Sequence, residues 1–246
     1  MDPTNHPRPD GPAPNGPGRT WPPGWTVRHV AETGSTNADL VAASAAGEAG
    51  DRTVLVTDHQ TAGRGRFDRR WDAPPGTNLL VSLLFSDVAG DAHDLTRRVG
   101  VAAVAASERC AGVAADLKWP NDVLVGDRKL AGILAQRCPD GGVVVGLGLN
   151  VGWAPDDAAK LGSGIGPLDV LAALLVAFDD LPDDVYPRYR ELLGTIGRRV
   201  RVVRPDGELV GRALDVDRDG RLRVLDECAV THSIDVGDVV HLRSAG

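Results

Sequence analysis

Apolar positions along this chain follow two rhythms, and one long stretch follows neither. Residues 27–32, 53–57 (TVLVT) and 78–85 are short apolar runs with the length and β-branched character of strands. Between the first two, Thr33, Gly34 and Ser35 spell a turn and a helix cap. Ala-rich residues 36–46 continue as a helix that Gly47 ends. A longer Ala/Val helix is expected over 94–110. Short β runs follow at 117–119 and 123–125, interrupted by Pro120-Asn121-Asp122. Gly126-Asp127 turns the chain into a strand at 129–137, and Gly141-Gly142 turns it again into 143–151. Helices are predicted at 169–178, after Pro167, and at 185–193, after Pro182. The stretch without rhythm is 58–76, rich in Gly, Arg, Asp and Pro. A loop of that length inside a compact domain usually carries function.

The last 50 or so residues change character. Short strands at 200–203, 209–216, 221–225 and 239–242 are separated by turns at Asp206-Gly207, Asp219-Gly220 and Gly237-Asp238, which predicts a small β-barrel of SH3-like type. At the other end, eight prolines between Pro3 and Pro23 deny residues 1–24 regular hydrogen bonding, so a disordered tail is expected. The chain thus divides into a tail (1–24), a main domain (25–196) and a C-terminal module (197–246). The class is α+β, a mixed sheet with helices.

Composition narrows the functions. A net charge of −7 argues against a general nucleic-acid surface, and no helix-turn-helix pattern precedes the main domain, so no DNA partner is expected. Cys110, Cys138 and Cys228 are widely spaced, and neither they nor the histidines have metal-ligand spacing; no protein metal site is expected, and the thiols suit a reduced, cytoplasmic protein. No apolar run approaches the roughly 20 residues of a membrane helix, so no membrane partner is expected.

Four clusters can carry chemistry. Gly63-Arg64-Gly65-Arg66-Phe67-Asp68-Arg69-Arg70-Trp71 interleaves glycines, which let backbone approach a ligand, with guanidinium forks suited to carboxylate and phosphate oxygens. It lacks the GK[ST] ending of a P-loop. Alone it also fits an RNA-binding Arg/Gly segment or a solvated loop; Trp71 adds a surface able to cover a flat ring. Lys118-Trp119-Pro120-Asn121-Asp122 offers oxygen groups suited to a magnesium–phosphate complex, though Pro-Asn-Asp is also ordinary turn chemistry and Trp119 fits a core. Lys129 opens an apolar strand that carries Gly132, and the next strand carries Gly146 and Gly148 with Asn150 beyond. The missing side chains leave room for a small ring system or for close packing of backbone. Ser35, Thr36 and Asn37 sit where a helix begins, either as cap or as polar ligand contacts. His59, beside the loop, reads as structural.

Together and in this order, Ser35-Thr36-Asn37, the run from Gln60 to Arg66 (QTAGRGR) with Trp71, KWPND at 118–122, KLAGI at 129–133 and Gly146–Asn150 resemble the biotin protein ligase family, over roughly residues 30–151. The resemblance implies a main domain like that of class II aminoacyl-tRNA synthetases, and the C-terminal module fits the family's small last domain. It implies an enzyme that uses ATP and Mg²⁺ to activate biotin as biotinyl-5'-AMP and then passes it to a lysine of a biotin carboxyl carrier protein. Ser35, Thr36 and Gln60 would bond the biotin head. Arg64 and the backbone of Gly65 would hold its chain and carboxylate, and Arg66 the α-phosphate. Trp71 would pack over adenine, with Asn150 near that site. Asn121 and Asp122 would face the nucleotide and magnesium, and Lys129 would be the main catalytic cation, with Arg64 and Arg66. Asn37, Gly63, Lys118, Gly132 and Gly148 would also belong to the ligand-binding set. A monofunctional type, monomeric or weakly dimeric, is implied. Phe67-Asp68 stands where the family usually has a glycine. Lipoate and octanoate transferases share the fold without this combination of motifs, and remain the alternative enzyme; a non-enzymatic biotin-binding module is the alternative outside catalysis.

Overall fold

Strand pairing explains the architecture. The structure, a computed structural model, describes residues 19–86, 88, 92–204 and 207–242. Seven strands form one mixed sheet: β1 (Thr26–Thr33), β2 (Thr53–Gln60), β3 (Leu79–Phe85), β4 (Asp116–Lys118), β5 (Asp122–Val125), β6 (Arg128–Arg137) and β7 (Val143–Leu149). Their order is β1-β2-β3-β7-β6-β5-β4. Only β1 and β2 run parallel, because helix α1 (Thr36–Ala45) carries the chain back between them; short turns join β4, β5, β6 and β7 as antiparallel neighbours, and β3 lies antiparallel to both β2 and β7.

Alternation along the strands sorts the two faces. Val54, Leu83 and Val145 enter the main core beneath α2 (Ala92–Ala111) and α3 (Pro167–Asp179), joined by α4 (Tyr186–Leu192). Leu55, Leu84 and Val144, one residue along each strand, meet Leu40 of α1 on the opposite face. α2 is rich in Ala and Val and carries Gly100, so it lies close to the sheet. A Cβ at Gly100 would approach Leu117 and Ile133 to 3.2 and 3.3 Å.

The chain continues into a five-stranded antiparallel sheet of β8 (Arg199–Arg204), β9 (Gly207–Val216), β10 (Leu222–Asp226), β11 (Thr231–Ile234) and β12 (Asp238–His241), ordered β11-β10-β9-β8-β12. Its β9–β10 turn is fastened to the main domain. Arg97 of α2, almost fully buried, donates to the carbonyls of Arg218 (2.8 Å) and Asp217 (3.3 Å), Trp119 Nε1 donates to Gly220 O (2.8 Å), and the Tyr186 hydroxyl donates to Val216 O (2.6 Å).

The pattern-based elements differ from the structure in a few places. β11 went unrecognised because Thr-His-Ser-Ile presents one apolar residue and so has no alternation to detect. β2 runs three residues past the expected end, to Gln60, because pairing with β1 continues through His59 and Gln60. Pro167 lies in the first turn of α3, where its missing N–H costs nothing, instead of ahead of it. Of the expected tail, residues 1–18 and likewise Asp206 of an expected turn lie outside the described residues. Residues 19–24 are anchored at two points, although Thr20, Pro23 and Gly24 are exposed: Arg19 pairs with Asp169 at 2.6 Å and Trp21 lies against the core.

Candidate active site

A cleft of about 670 Å³ opens on the α1 face of the large sheet, beyond the start of that helix. Its floor follows from register. Leu80, Gly148, Gly132 and Asp122 are consecutive cross-strand partners on β3, β7, β6 and β5, so one row of the sheet carries two glycines side by side and then a carboxylate. The loop between β2 and β3 lays Trp71 into this gap. A Cβ at Gly148 would come within 2.5 Å of the indole, and one at Gly132 within 3.2 Å. The glycines therefore admit a ring, and in this structure the ring is Trp71. Its Nε1 is buried and has no hydrogen-bond partner among the described residues. Gly146, in the neighbouring row, has a different reason: Asn37 Oδ1 would lie 2.2 Å from a Cβ there.

A bulge sets the cation. Asp122 pairs with Gly132 and Val123 with Ala131, but Leu124 pairs with Lys129, so Leu130 is an extra residue. In a regular strand residues 129 and 132 would face opposite ways; the inserted residue turns Lys129 onto the glycine face. There its Nζ lies 2.6 Å from Asp122 Oδ1 and 5.6 Å from the Trp71 ring centre. Lys118 Nζ lies on the same carboxylate at 3.8 Å and outside the cleft lining, so it backs Asp122 instead of facing the cavity.

The second cation arrives from the loop. A neck is formed by Trp71 N–H donating to Gly63 O (3.0 Å) and Gly65 N–H to Arg69 O (2.7 Å). Gly63 does not line the cleft; a Cβ on it would sit 2.3 Å from Trp71 O, so its role is to close this neck. Beyond it, a short 3-10 turn (Arg66–Asp68) aims Arg66 inward, where it donates to Asn121 Oδ1 (3.4 Å) and Gly237 O (3.2 Å). Burial pulls the Arg66 guanidinium below its ordinary pKa, while Asp238 and Asp122 oppose that shift. Arg64 lines the cleft from an exposed position.

Around the start of α1 the polar groups are mostly committed to each other. Thr36 N–H donates to Gln60 Oε1 (2.9 Å). Ser82 Oγ lies 2.7 Å from Thr36 Oγ1 and donates to Asn37 Oδ1 (2.6 Å), whose Nδ2 donates to Leu134 O (3.1 Å). Ser35 occupies the N-cap position but makes no side-chain capping bond, so the expected cap is absent and its hydroxyl is left to the cleft.

Two segments match family models: residues 34–152 match the Biotin/lipoate A/B protein ligase family, and 195–242 the Biotin protein ligase C terminal domain. A biotin--[acetyl-CoA-carboxylase] ligase of Mycobacterium tuberculosis is 39% identical over 236 residues, covering 87% of this chain and 88% of that protein. The chain belongs to the biotin protein ligase family. A bifunctional ligase/repressor of Bacillus subtilis is 30% identical, and the match spans 69% of this chain and 60% of that longer relative. The biotin protein ligase of Aquifex aeolicus, solved in complex with biotin and ATP, superposes with a TM-score of 0.75 at 25% identity, over 89% of this chain and 99% of that one.

Within that family setting, the residues picked out from sequence fall into two groups. Ser35, Thr36, Asn37, Gln60, Arg64, Gly65, Arg66, Trp71, Asn121, Asp122, Lys129, Gly132, Gly148 and Asn150 all border the one cleft, whereas Gly63 and Lys118 support it from behind. Asn150 borders it with a spent amide: Nδ2 donates to Ala159 O (2.9 Å) and Lys129 O (3.4 Å), and Oδ1 accepts from Asn78 (3.2 Å). It holds the start of β6, the end of β7 and the 158–161 segment together. Asn121 Nδ2 is likewise taken by Ile133 O, at 2.6 Å. Sequence reasoning missed the wall at Pro155, Asp157 and Ala158, Asp238 from the C-terminal sheet, and, behind the lining, the buried strand serine Ser82 that holds Thr36 and Asn37. None belongs to a motif; only the fold brings them in. His59 pairs with Glu32 at 2.9 Å on the strand surface, as a structural histidine should.

Proposed function

We propose that this protein activates biotin with ATP as biotinyl-5'-AMP and transfers the biotinyl group to a lysine of a biotin carboxyl carrier protein. The observation that carries the reading is the convergence of Lys129 and Arg66, from a strand and a loop, on the adjacent residues Asp122 and Asn121 beside a glycine-floored slot. A carboxylate and a triphosphate repel each other, and two cations brought to one point lower that barrier most while charge is building on the α-phosphate. The carboxylate oxygen attacks the α-phosphorus and pyrophosphate leaves. The carrier's neutral lysine amine then attacks the acyl carbon, AMP leaves, and the amine loses its proton.

Ser35 and the Thr36–Gln60 cluster suit a ligand head rich in polar atoms at the enclosed end. Arg64 and the Gly65 backbone suit the carboxylate. A flat ring at the other end meets the indole of Trp71, not bare glycine backbone. Asn150 contributes there by holding β6 and β7, since its amide is already used.

Magnesium bound with the nucleotide supplies neutralisation of phosphate charge. Among the described residues no group of three or more His, Cys, Asp or Glu side chains could hold a metal. Asp122, one of the carboxylates on the cleft, is already paired with Lys129 and Lys118. The residues would thus fit an ion carried in on the triphosphate, with Asp122 as a protein group that would hold it. The cytoplasm, the absence of a DNA partner and a monomeric or weakly dimeric state complete the reading. Among the described residues no helix is long and apolar enough to cross a membrane.

The test is incubation with biotin and α-labelled ATP, followed by addition of a carrier domain. Labelled biotinyl-AMP should form and be discharged by the carrier. Adenylate formation with lipoate or octanoate, and none with biotin, would overturn the substrate assignment.

A further inference from the structure

The arginine loop meets the C-terminal sheet at a place the family motifs do not include. Arg69 pairs with the carboxylate of Asp238, and Arg66 donates to the neighbouring carbonyl of Gly237 at 3.2 Å. Asp238 also borders the cleft. The turn that carries both acceptors is seated firmly. A Cβ at Gly237 would lie 2.7 Å from Val202 Cγ1, and Asp238 begins β12, which pairs with β8 through Val203. The same sheet is bolted to the main domain through Arg97, Trp119 and Tyr186 at its β9–β10 turn.

The loop is anchored at its base, where Thr61 N–H donates to Thr33 O (2.9 Å), Ala62 N–H donates to Gly34 O (2.8 Å) and Trp71 fills the glycine gap, but its tip has no comparable anchorage among the described residues. Its backbone bonds at the neck join it to itself, between Gly63 and Trp71 and between Gly65 and Arg69. Phe67, at its tip, is 50% exposed and adopts φ 55°, a conformation a bulky side chain rarely takes. Beyond the neck, the described contacts of the tip with the rest of the molecule run through the side chains of Arg66 and Arg69.

We propose that Asp238 is a positioning residue: with the Gly237 carbonyl it latches the arginine loop over the cleft, so the C-terminal sheet sets how long the acyl-adenylate is retained. The proposal rests on the adenylate-forming reading above. Asp238 touches neither reacting atom; it acts through Arg69, and through the shared turn on Arg66. With the latch intact the mixed anhydride is shielded from water and from stray amines until the carrier arrives. With it open, the chemistry at Lys129 continues and the intermediate escapes.

The full-length protein tests this with Asp238→Asn, Asp238→Arg and the exchange Arg69→Asp/Asp238→Arg. Three quantities are read: single-turnover formation of biotinyl-AMP, its release into solution without carrier, and tryptic cleavage within the Arg64–Arg70 segment in the absence of ligand. Formation should fall no further than it does when Arg66 itself is lost, by about tenfold at most. Release and cleavage should rise about two- to fivefold in Asp238→Asn, the population change a partly exposed ion pair supplies. They should rise further in Asp238→Arg, where two cations face each other. The exchange should return both to within about twofold of the starting values. Unchanged release and cleavage in both single variants, or an exchange no better than Asp238→Arg alone, would overturn the latch. If Asp238→Arg melts early, Asp238→Asn and Arg69→Gln, singly and together, decide by non-additivity. A protein that makes no biotinyl-AMP would remove the functional reading, while the cleavage measurement would still judge the latch.

Discussion

Lys129 and Arg66 reach neighbouring residues, yet they are mounted in opposite ways. Lys129 stands on β6, a ten-residue strand paired on both sides, and its own carbonyl accepts from Ala159 N–H at 2.8 Å. Arg66 stands on a loop whose tip, among the described residues, is tied to its surroundings through side chains, with an exposed Phe67 beside it. A charge on a braced strand is preorganised and costs little to hold in place during reaction. A charge on a loop can withdraw to admit substrates and return to enclose them. On the proposed function, the difference predicts that bond making depends most on the floor and retention most on the loop.

The strongest way to break that division is to remove the floor's charge. Lys129→Ala should lower adenylate formation by at least about a hundredfold, the range seen when one fixed transition-state donor is lost. Stability should move by about 1 kcal/mol or less, because Lys129 is partly exposed and its pairing with Asp122 is reached by solvent. A pyrophosphate-release assay and a thermal melt suffice. Formation within about tenfold of normal in a folded variant would mean that the loop, not the strand, carries the essential cation.

The complementary change is Arg66→Gly. If the loop governs retention, formation should fall far less than in Lys129→Ala, by about tenfold at most, while biotin appears on lysines of a bystander protein such as serum albumin. The comparison sharpens through the ratio of bystander to carrier labelling, which should rise in Arg66→Gly and stay level in Lys129→Ala. A loss of formation equal to that of Lys129→Ala, with no bystander labelling, would erase the distinction between the two mounts.

How much of this was legible in the sequence depended on whether a feature was local. The strands of the large sheet, the helices and the arginine loop announce themselves through periodicity and turn residues, and the motif residues do gather at one cleft. What periodicity could not give was facing. Lys129 and Gly132 are three apart on a strand, which ordinarily separates their side chains, and only the bulge at Leu130 unites them. Nor could it say which glycine makes room for what: Gly146 accommodates Asn37, while Gly132 and Gly148 accommodate Trp71. Ser35 looked like a cap and makes no capping bond, since the hydroxyl's use depends on a rotamer that sequence does not encode. Asp238 was beyond reach altogether. It stands roughly 170 residues from the loop it meets, and nothing in Gly237-Asp238 distinguishes a latch from an ordinary turn.

The smallest effect tests whether the sheet behind the loop is as firmly joined as the comparison requires. His241, on the strand that begins with Asp238, faces Thr195: their Nε2 and Oγ1 lie 3.1 Å apart, and that hydroxyl accepts Trp119 N–H at 3.0 Å. The hydroxyl has its own proton to donate, and the ring accepts it only when neutral. Burial, then the Arg198 and Lys118 charges, lowers the His241 pKa to about 4, with Asp127 opposing. Between about pH 6.5 and 4 the unfolded chain binds a proton at this histidine and the folded chain does not, so stability rises with pH across that window. It is fully present above about pH 6.5 and is lost as pH falls toward 4. The ring is partly exposed, so solvent screening reduces the effect to about 1–2 kcal/mol. Denaturant melts at pH 7.0 and 5.0 should show the loss, and His241→Gln should flatten the dependence in this interval while keeping a group able to accept from Thr195. An equally steep decline in that variant would place the titrating group elsewhere and leave the junction of β12 with the main domain indifferent to acid.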